Sequence, residues 1–412
     1  MVYTRRLVDD ELDELLAGLP AIALEGPKGV GKTATAIRRA SRVFSLDDDA
    51  QRATVATDPA ILDDADGTVV IDEWQRHPPV WDHVRRQVDA GAPPGRYLLT
   101  GSAFPVEAPA HSGAGRIVPL RMRPLSLSER RLADPVVGLA DLLTGSRPPI
   151  QGETSVSLGD YVEEILASGL PGIRPLAPRL RARQLDGYLE RLVLRDFVDQ
   201  GLAVRRPETV RAWLTAYAAA TATTTSYNAI LRAAPGEDDK PAKTTTIAYR
   251  EVLAQLWMLD PLPGWVPTRN RLARLMQAPK HHLADPALAA RLLQADRDVL
   301  LRDGHLLGRL FEGLVTQSLQ VYAGLAGGRV SHLRQESGRR EVDLVVEGPG
   351  LRVLAVEVKL TRSPGDGDVR NLLWLRDQLG DDLLDAVVVT AGPYAYRRPD
   401  GVAVVPAALL GP

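Results

Sequence analysis

The 412-residue chain contains no cysteine. Disulfides, zinc–thiolate sites and thiol nucleophiles are therefore excluded. It has no apolar run long enough to span a bilayer, and its opening, MVYTRRLVDDELDELLAGLP, carries no signal-peptide stretch. A cytoplasmic protein without a membrane partner is the expectation. Internal repeats and long low-complexity tracts are also missing. Excess charge of one sign is nearly absent, at −2 overall, but the charge is unevenly spread. Residues 1–100 carry 12 Lys and Arg against 17 Asp and Glu, whereas residues 201–280 carry 11 against 6. A basic middle in a balanced chain points to a polyanion, with nucleic acid the expected partner and DNA favoured.

What is present is ordinary for a globular protein, 45% apolar and 25% charged. The length asks for several cores. Residues 1–20 have an amphipathic helical pattern. Short buried strands at AIALEG, GTVVIDEW, GRYLLTGSA and GRIVPLRMRPLS alternate with helices, which predicts a parallel sheet covered on both faces. The expected division is a P-loop domain over 1–135, a Pro- and Gly-rich lid or connector over 136–183, a helical part over 184–298 and an α/β domain over 299–412.

The strongest motif is GPKGVGKT, made of Gly26, Pro27, Lys28, Gly29, Val30, Gly31, Lys32 and Thr33. It follows a strand and opens a helix, as a phosphate-binding loop must. Its amides form an anion nest at a helix N-terminus. Lys32 is expected to reach the outer phosphates of ATP and Thr33 to ligate Mg²⁺. VVIDEW supplies Asp72 for the Mg²⁺ shell and Glu73 to orient or deprotonate the attacking water. LLTGSA ends the next strand in Thr100 and Ser102, of which Ser102 is the better candidate to contact the γ-phosphate or the water.

Together, GPKGVGKT, VVIDEWQ, LLTGSA and AGRIVPLRMRPLSLSE resemble the AAA-type ATPase module at the front of a widespread prokaryotic family whose back half is a domain of unknown function. The resemblance covers nearly the whole chain. It implies that an arginine from a neighbouring subunit or domain completes the ATP site, with Arg116 the candidate and a homo-oligomer possible. It also implies a restriction-endonuclease-like fold at the C-terminus.

The middle has a winged-helix candidate. Its second helix is expected over Thr244–Leu259, with Lys243, Thr245, Tyr249 and Arg250 near the exposed face. Threonines are expected to cap this helix and the one before it. Arg269, Arg271 and Arg274 fall in the wing, with Trp257 and Trp265 packing it and His281-His282 on its surface. Such a module meets DNA phosphates; the alternative is a helical protein-binding module that reports nucleotide state.

The last motif is REVDLVVEGPGLRVLAVEVKL, residues 340–360, a hairpin with a Gly-Pro-Gly turn. Strand alternation puts Glu357 and Lys359 on one side and Val356 and Val358 on the other. The plain reading is a half-buried hairpin with a solvated face. The pattern also matches the D…E-x-K signature of the restriction-endonuclease-like superfamily. That resemblance implies that Asp343 and Glu357 share Mg²⁺ or Mn²⁺ while Lys359 acts on the attacking water. It further implies contributions from Glu312 and Gln378. Metal-dependent cleavage is one reading; a nucleotide-dependent switch that binds partners and cuts nothing is the other.

Overall fold

The apolar runs near the N-terminus become β1 (Ala21–Glu25), β2 (Arg42–Ser45), β3 (Val69–Asp72), β4 (Tyr97–Gly101) and β5 (Val118–Arg121). They form one all-parallel sheet in the order β2-β3-β4-β1-β5. Every residue of β1, β3 and β4 is buried, which is why these strands read as continuous apolar runs rather than alternating ones. One face packs Ile22, Leu24, Val70 and Leu98 with Leu12 of the first helix. The other packs Ala23, Ile71 and Leu99 with Trp81 and Val84 of the Pro79–Asp89 helix. The first helix runs Val8–Gly18 rather than from the chain start; the Asp9 carboxylate accepts the Arg6 N–H at 2.6 Å and fixes where it begins. The computed structural model describes residues 3–103, 113–202, 204, 206–234, 242–267, 277–335 and 338–412.

The middle is helical. Leu158–Ala167 opens on a capping box between Ser157 and Asp160. Pro178–Arg191 continues through a π-helical turn, Leu192–Asp196. Pro207–Ala219, Tyr227–Ala233, Lys243–Gln255 and Pro286–Leu292 follow. Threonine caps are not used. Ser226 caps Tyr227–Ala233, and Lys243–Gln255 begins without a side-chain cap. The latter helix stops four residues short of Leu259, and Trp257 at φ 59° carries the chain away from it.

Several surface expectations for this region fail. Tyr249 is buried, and Arg250 lies over the Tyr227 ring, 4.1 Å from its centroid. His281 and His282 are interior, at 1% and 4% exposure. The His281 ring meets the edges of Tyr217 and Tyr227. Arg269, Arg271 and Arg274 lie outside the described residues. Leu259 and Leu262 bridge antiparallel to Leu283 and Lys280. Just beyond, β8 (Gly264–Trp265) joins the C-terminal sheet beside β9 (Arg329–Gln335), where Trp265 packs into that sheet's own core.

Two short strands come from the connector, β6 (Val137–Gly138) and β7 (Gly152–Glu153). The C-terminal part adds β10 (Arg340–Glu347), β11 (Val353–Lys359), β12 (Leu383–Thr390), β13 (Tyr394–Arg397), β14 (Ala403–Pro406) and β15 (Leu410–Gly411). The mixed sheet has the order β7-β13-β14-β12-β11-β10-β9-β8. The hairpin has no solvated face. Leu354, Val356 and Val358 pack with the Gly304–Leu325 helix, while Val353 and Ala355 pack with Asp366–Leu379.

The connector is sewn to this domain. β7 pairs with β13 and β6 with β15, and Arg397 holds Asp385 at 2.9 Å through both guanidinium amines while donating to the Pro148 carbonyl. Asp385 is 1% exposed. Truncating one partner of a buried pair strands the other charge, so Arg397→Met is expected to lower unfolding free energy by about 3 kcal/mol. Urea denaturation checks this; an unchanged midpoint would show that the pair carries no stability.

Candidate functional sites at the strand ends and the C-terminal hairpin

Parallel pairing aligns the C-terminal ends of three strands. Glu25 is level with Gly101 across β1 and β4, and Asp72 is level with Thr100 across β3 and β4. Because β4 lies between β1 and β3, the loop leaving β1, the acids ending β3 and the hydroxyls ending β4 meet at one edge.

The loop from Gly26 to Thr33 has the geometry its glycines predict. Gly26 has φ 150°, and a Cβ there would lie 2.2 Å from the Met122 carbonyl oxygen, so no side chain fits. Gly31, at φ 110°, turns the chain into the Lys32–Ile37 helix. Lys32 is 5% exposed and folds back over its own loop, donating to the carbonyls of Gly26 at 2.7 Å and Pro27 at 3.0 Å. Burial lowers its pKa to about 8, against the pull of Glu73 and Asp72. The Val30 carbonyl accepts from Arg6, which Glu129 holds from behind at 2.8 Å.

Thr33 donates to Asp72 Oδ1 at 2.7 Å, and Thr100 donates to the same oxygen. A hydroxyl and a buried carboxylate in contact form an oxygen donor pair suited to Mg²⁺. Residue identity and placement both fit that ion, with Thr33 and Asp72 as its holders.

Glu73 leaves the strand at φ 54°, a left-handed backbone conformation that is strained for a residue with a side chain. Ser102 donates to Glu73 Oε2 at 3.1 Å, and Gln75 donates to both the Glu73 carboxylate and Ser102 Oγ. Gly101 makes room for this cluster, since a Cβ there would sit 2.7 Å from Trp74 Nε1 and 3.1 Å from Gln75 Oε1. Gln75 is absent from the candidates read from the motif, although it follows the acids directly in IDEWQ. The Ser102 hydroxyl therefore touches Glu73, the proposed holder of the water.

Two cavities flank the loop. One of about 280 Å³ is lined by Lys28, Glu73, Gln75, Ser102, Asp196 and Asp199. Here the helical part touches the loop. Lys28 Nζ lies 2.5 Å from Asp196, and Arg76 lies 3.4 Å from Asp199. Nothing in sequence spacing announces these pairs, which join residues more than 120 positions apart. The other cavity, about 660 Å³, opens beside Gly31 and is lined by Tyr3, Thr35, Met122, Arg174 and Arg181 among others. Arg116 is half-exposed and pairs with Asp89 at 2.8 Å, so the structure brings it to the Pro79–Asp89 helix.

The C-terminal hairpin gathers most of its predicted residues. The register of β10 against β9 shifts between Val342 and Val345, an irregularity that re-aims the Asp343 side chain. Asp343 Oδ2 accepts the Val358 N–H at 2.9 Å. Lys359 Nζ lies 2.6 Å from Glu357 and 3.9 Å from Asp343. Glu357 Oε2 is buried without a partner. Gln378 is exposed near the end of Asp366–Leu379, with no contact to the carboxylates among its described bonds.

A residue absent from the sequence candidates dominates this centre. Lys280, 1% exposed, places Nζ 2.7 Å from Glu312, 3.4 Å from Asp343 and 3.7 Å from Glu341. Burial and the Asp343 charge push Glu312 up to about 8, and the same two causes push Glu357 up to about 8. Among the described residues no group of three acids or histidines has the placement of a metal site. A divalent cation at 2.0–2.6 Å from several oxygens does not fit a centre whose middle is an ammonium group.

Comparison with known proteins agrees with the front of this arrangement. Residues 19–130 match the model of an AAA domain. Residues 158–299 and 307–410 match two domains of unknown function, DUF8612 and DUF4143. Two mycobacterial relatives, the uncharacterized proteins Rv2008c of Mycobacterium tuberculosis and Mb2031c of Mycobacterium bovis, are each 28% identical over 422 residues, covering 99% of this chain and 84% of theirs. Among solved structures, a Walker-type ATPase of Pyrococcus abyssi is 14% identical with a TM-score of 0.42, covering 71% of this chain and 96% of that one. A RuvB variant of Thermotoga maritima is 18% identical with a TM-score of 0.27, covering 62% and 89%. The first part of the chain is an AAA-type, ATP-binding P-loop domain.

The lowered pKa of free Lys32 has a measurable sign. Phosphates beside Lys32 favour its charged form, so its pKa must rise on ATP binding. Above about pH 8 binding then takes up a proton, and affinity falls as pH rises further. Calorimetry at pH 8.5 in two buffers of different ionisation enthalpy checks this. Equal apparent enthalpies would show that Lys32 does not change protonation.

Proposed function

We propose that this protein is an ATP-hydrolysing switch whose nucleotide state controls how its helical and C-terminal parts meet a macromolecular partner. The observation that carries the reading is the meeting of Lys32, Thr33, Asp72 and Glu73 at one sheet edge, beneath a glycine-bent loop. In this reading the amides of residues 27–33 cradle the phosphates, and Lys32 leaves the loop carbonyls for the outer phosphate oxygens. The 660 Å³ cavity beside Gly31 takes the nucleoside. Magnesium, when bound, neutralises phosphate charge, and Thr33 and Asp72 would hold it.

Hydrolysis is then a matter of positioning. Glu73, fixed by Ser102 and Gln75, orients a water toward the γ-phosphorus and accepts its proton. The bond between the γ-phosphorus and the bridging oxygen breaks, and ADP leaves with the electron pair. Arg116 is offered to the site of a neighbouring copy.

The Lys28–Asp196 and Arg76–Asp199 pairs support the switch. A γ-phosphate arriving beside Lys28 competes with Asp196 for the same ammonium and repels that carboxylate. Asp196 closes the π-helical turn after Pro178–Arg191, so its release moves the helical part. The basic balance of residues 201–280 favours nucleic acid, DNA first, as the partner that senses this movement. Cleavage is not part of the proposal, because the C-terminal carboxylates do not fit the metal that such chemistry needs.

Lys32→Ala is expected to abolish ATP binding, and Glu73→Gln to retain binding while turnover falls at least about 100-fold. Nucleotide binding by calorimetry and phosphate release measure these; unchanged turnover in either variant refutes the assignment. Asp196→Asn is expected to tighten ATP binding by about tenfold, or ~1.4 kcal/mol, and unchanged affinity removes the latch. Stimulation of phosphate release by DNA, and not by unrelated polyanions, tests the partner.

A further inference from the structure

The C-terminal carboxylates pose a charge problem that the fold has already solved. Glu312, Asp343 and Glu357 are all largely buried, with side-chain exposures of 13%, 11% and 10%. Carboxylates buried at such spacing either hold protons, as the raised pKa of Glu312 and Glu357 favours, or need compensating positive charge. A divalent ion would bring two charges at one point. Here two ammonium groups bring the same total at two points. Lys359 serves Glu357 and approaches Asp343 Oδ2, and Lys280 serves Glu312 and approaches Asp343 Oδ1.

The two lysines differ in standing. Lys359 belongs to the hairpin itself and is a third exposed. Lys280 enters from outside the hairpin on a stretch bonded on several sides. Its N–H and carbonyl exchange bonds with Leu262 at 2.9 and 2.8 Å, and His281 donates its N–H to the Thr223 carbonyl at 2.9 Å. Those bonds fix the Lys280 backbone, and burial of the side chain together with its contacts to Glu312, Asp343 and Glu341 keeps the ammonium in the centre. Its charge is felt nearby: burial, then Lys280, lowers the His282 pKa to about 3, and the same two causes lower His332 to about 4. A neutral Lys280 would leave Glu312 and Asp343 facing each other with nothing between them.

We propose that Lys280 is a tethered substitute for a divalent cation. Its ammonium occupies the centre formed by Glu312 and Asp343, keeps metal out of it, and fastens the C-terminal sheet to the segment between the Lys243–Gln255 and Pro286–Leu292 helices. The orphan oxygen of Glu357 is the part of the centre the lysines leave unserved. It marks where a metal would gain a ligand if Lys280 were removed. This inference does not depend on the ATPase reading, since it concerns residues in a different part of the chain.

Mn²⁺ binding to the full-length, nucleotide-free protein tests it, followed by electron paramagnetic resonance of the free ion. Wild type and Asp343→Asn are expected to bind Mn²⁺ identically up to about 1 mM, because the centre is closed in both. Lys280→Met is expected to gain one further site per chain, which is lost again when Asp343→Asn is added. Any Asp343-dependent Mn²⁺ binding by wild type overturns the proposal. A folded Lys280→Met that gains no site also overturns it. Should Lys280→Met fail to fold, Lys280→Gln, which removes the charge and keeps a polar end, takes its place with the same two outcomes.

Discussion

Everything at the nucleotide site depends on one steric constraint, the contact of Gly26 with the Met122 carbonyl. The loop leaves β1 so close to the chain following β5 that no side chain can stand at position 26. The residues that follow turn at Gly29 and Gly31, both at positive φ, and Lys32 satisfies the Gly26 and Pro27 carbonyls in the free protein. Lys32 is thus not waiting in solvent. It is buried, internally bonded and lowered in pKa by that burial, so exchanging neutral carbonyl partners for anionic phosphate keeps its hydrogen bonds filled while favouring its charged form. The loop stays shaped before its ligand arrives, which reduces the ordering cost of binding.

The order of strands does the rest. Inserting β4 between β1 and β3 brings three chain segments, separated by about thirty to fifty residues, to a common edge. Thr33 meets Asp72, and Ser102 meets Glu73, only because parallel pairing sets their strand ends level. The two halves of the protein then share the problem of buried charge and solve it differently. At the front, acids and Lys32 face a space left for a ligand. At the back, Lys280 and Lys359 already fill the corresponding space.

The connector and helical part are more than spacers. Strands from residues 137–138 and 152–153 are built into sheets with the last strands of the chain, and the helical part reaches the phosphate loop through Asp196 and Asp199. In the proposed switch these two pairs are what would couple the loop to the helical part. The π-helical turn that carries Asp196 is where such a change is cheapest, since its hydrogen bonding is already irregular.

Local sequence settles the nucleotide loop, Asp72 at the end of β3 with Glu73 just after it, the parallel α/β character of the front and the alternation of the hairpin. Each is a local property: glycine spacing, a buried run ending in charge, a period of two. Tertiary structure alone decided the surroundings. The hairpin's outer side looked solvated because alternation says which residues share a face, not whether a helix covers it; Asp366–Leu379 does. The histidine pair looked like surface because polarity was the only guide, yet both rings are interior, His281 against Tyr217 and Tyr227. Lys280 was invisible beside Asp343 because contact between residues 63 apart is set by how strands and helices stack, and no local pattern records that.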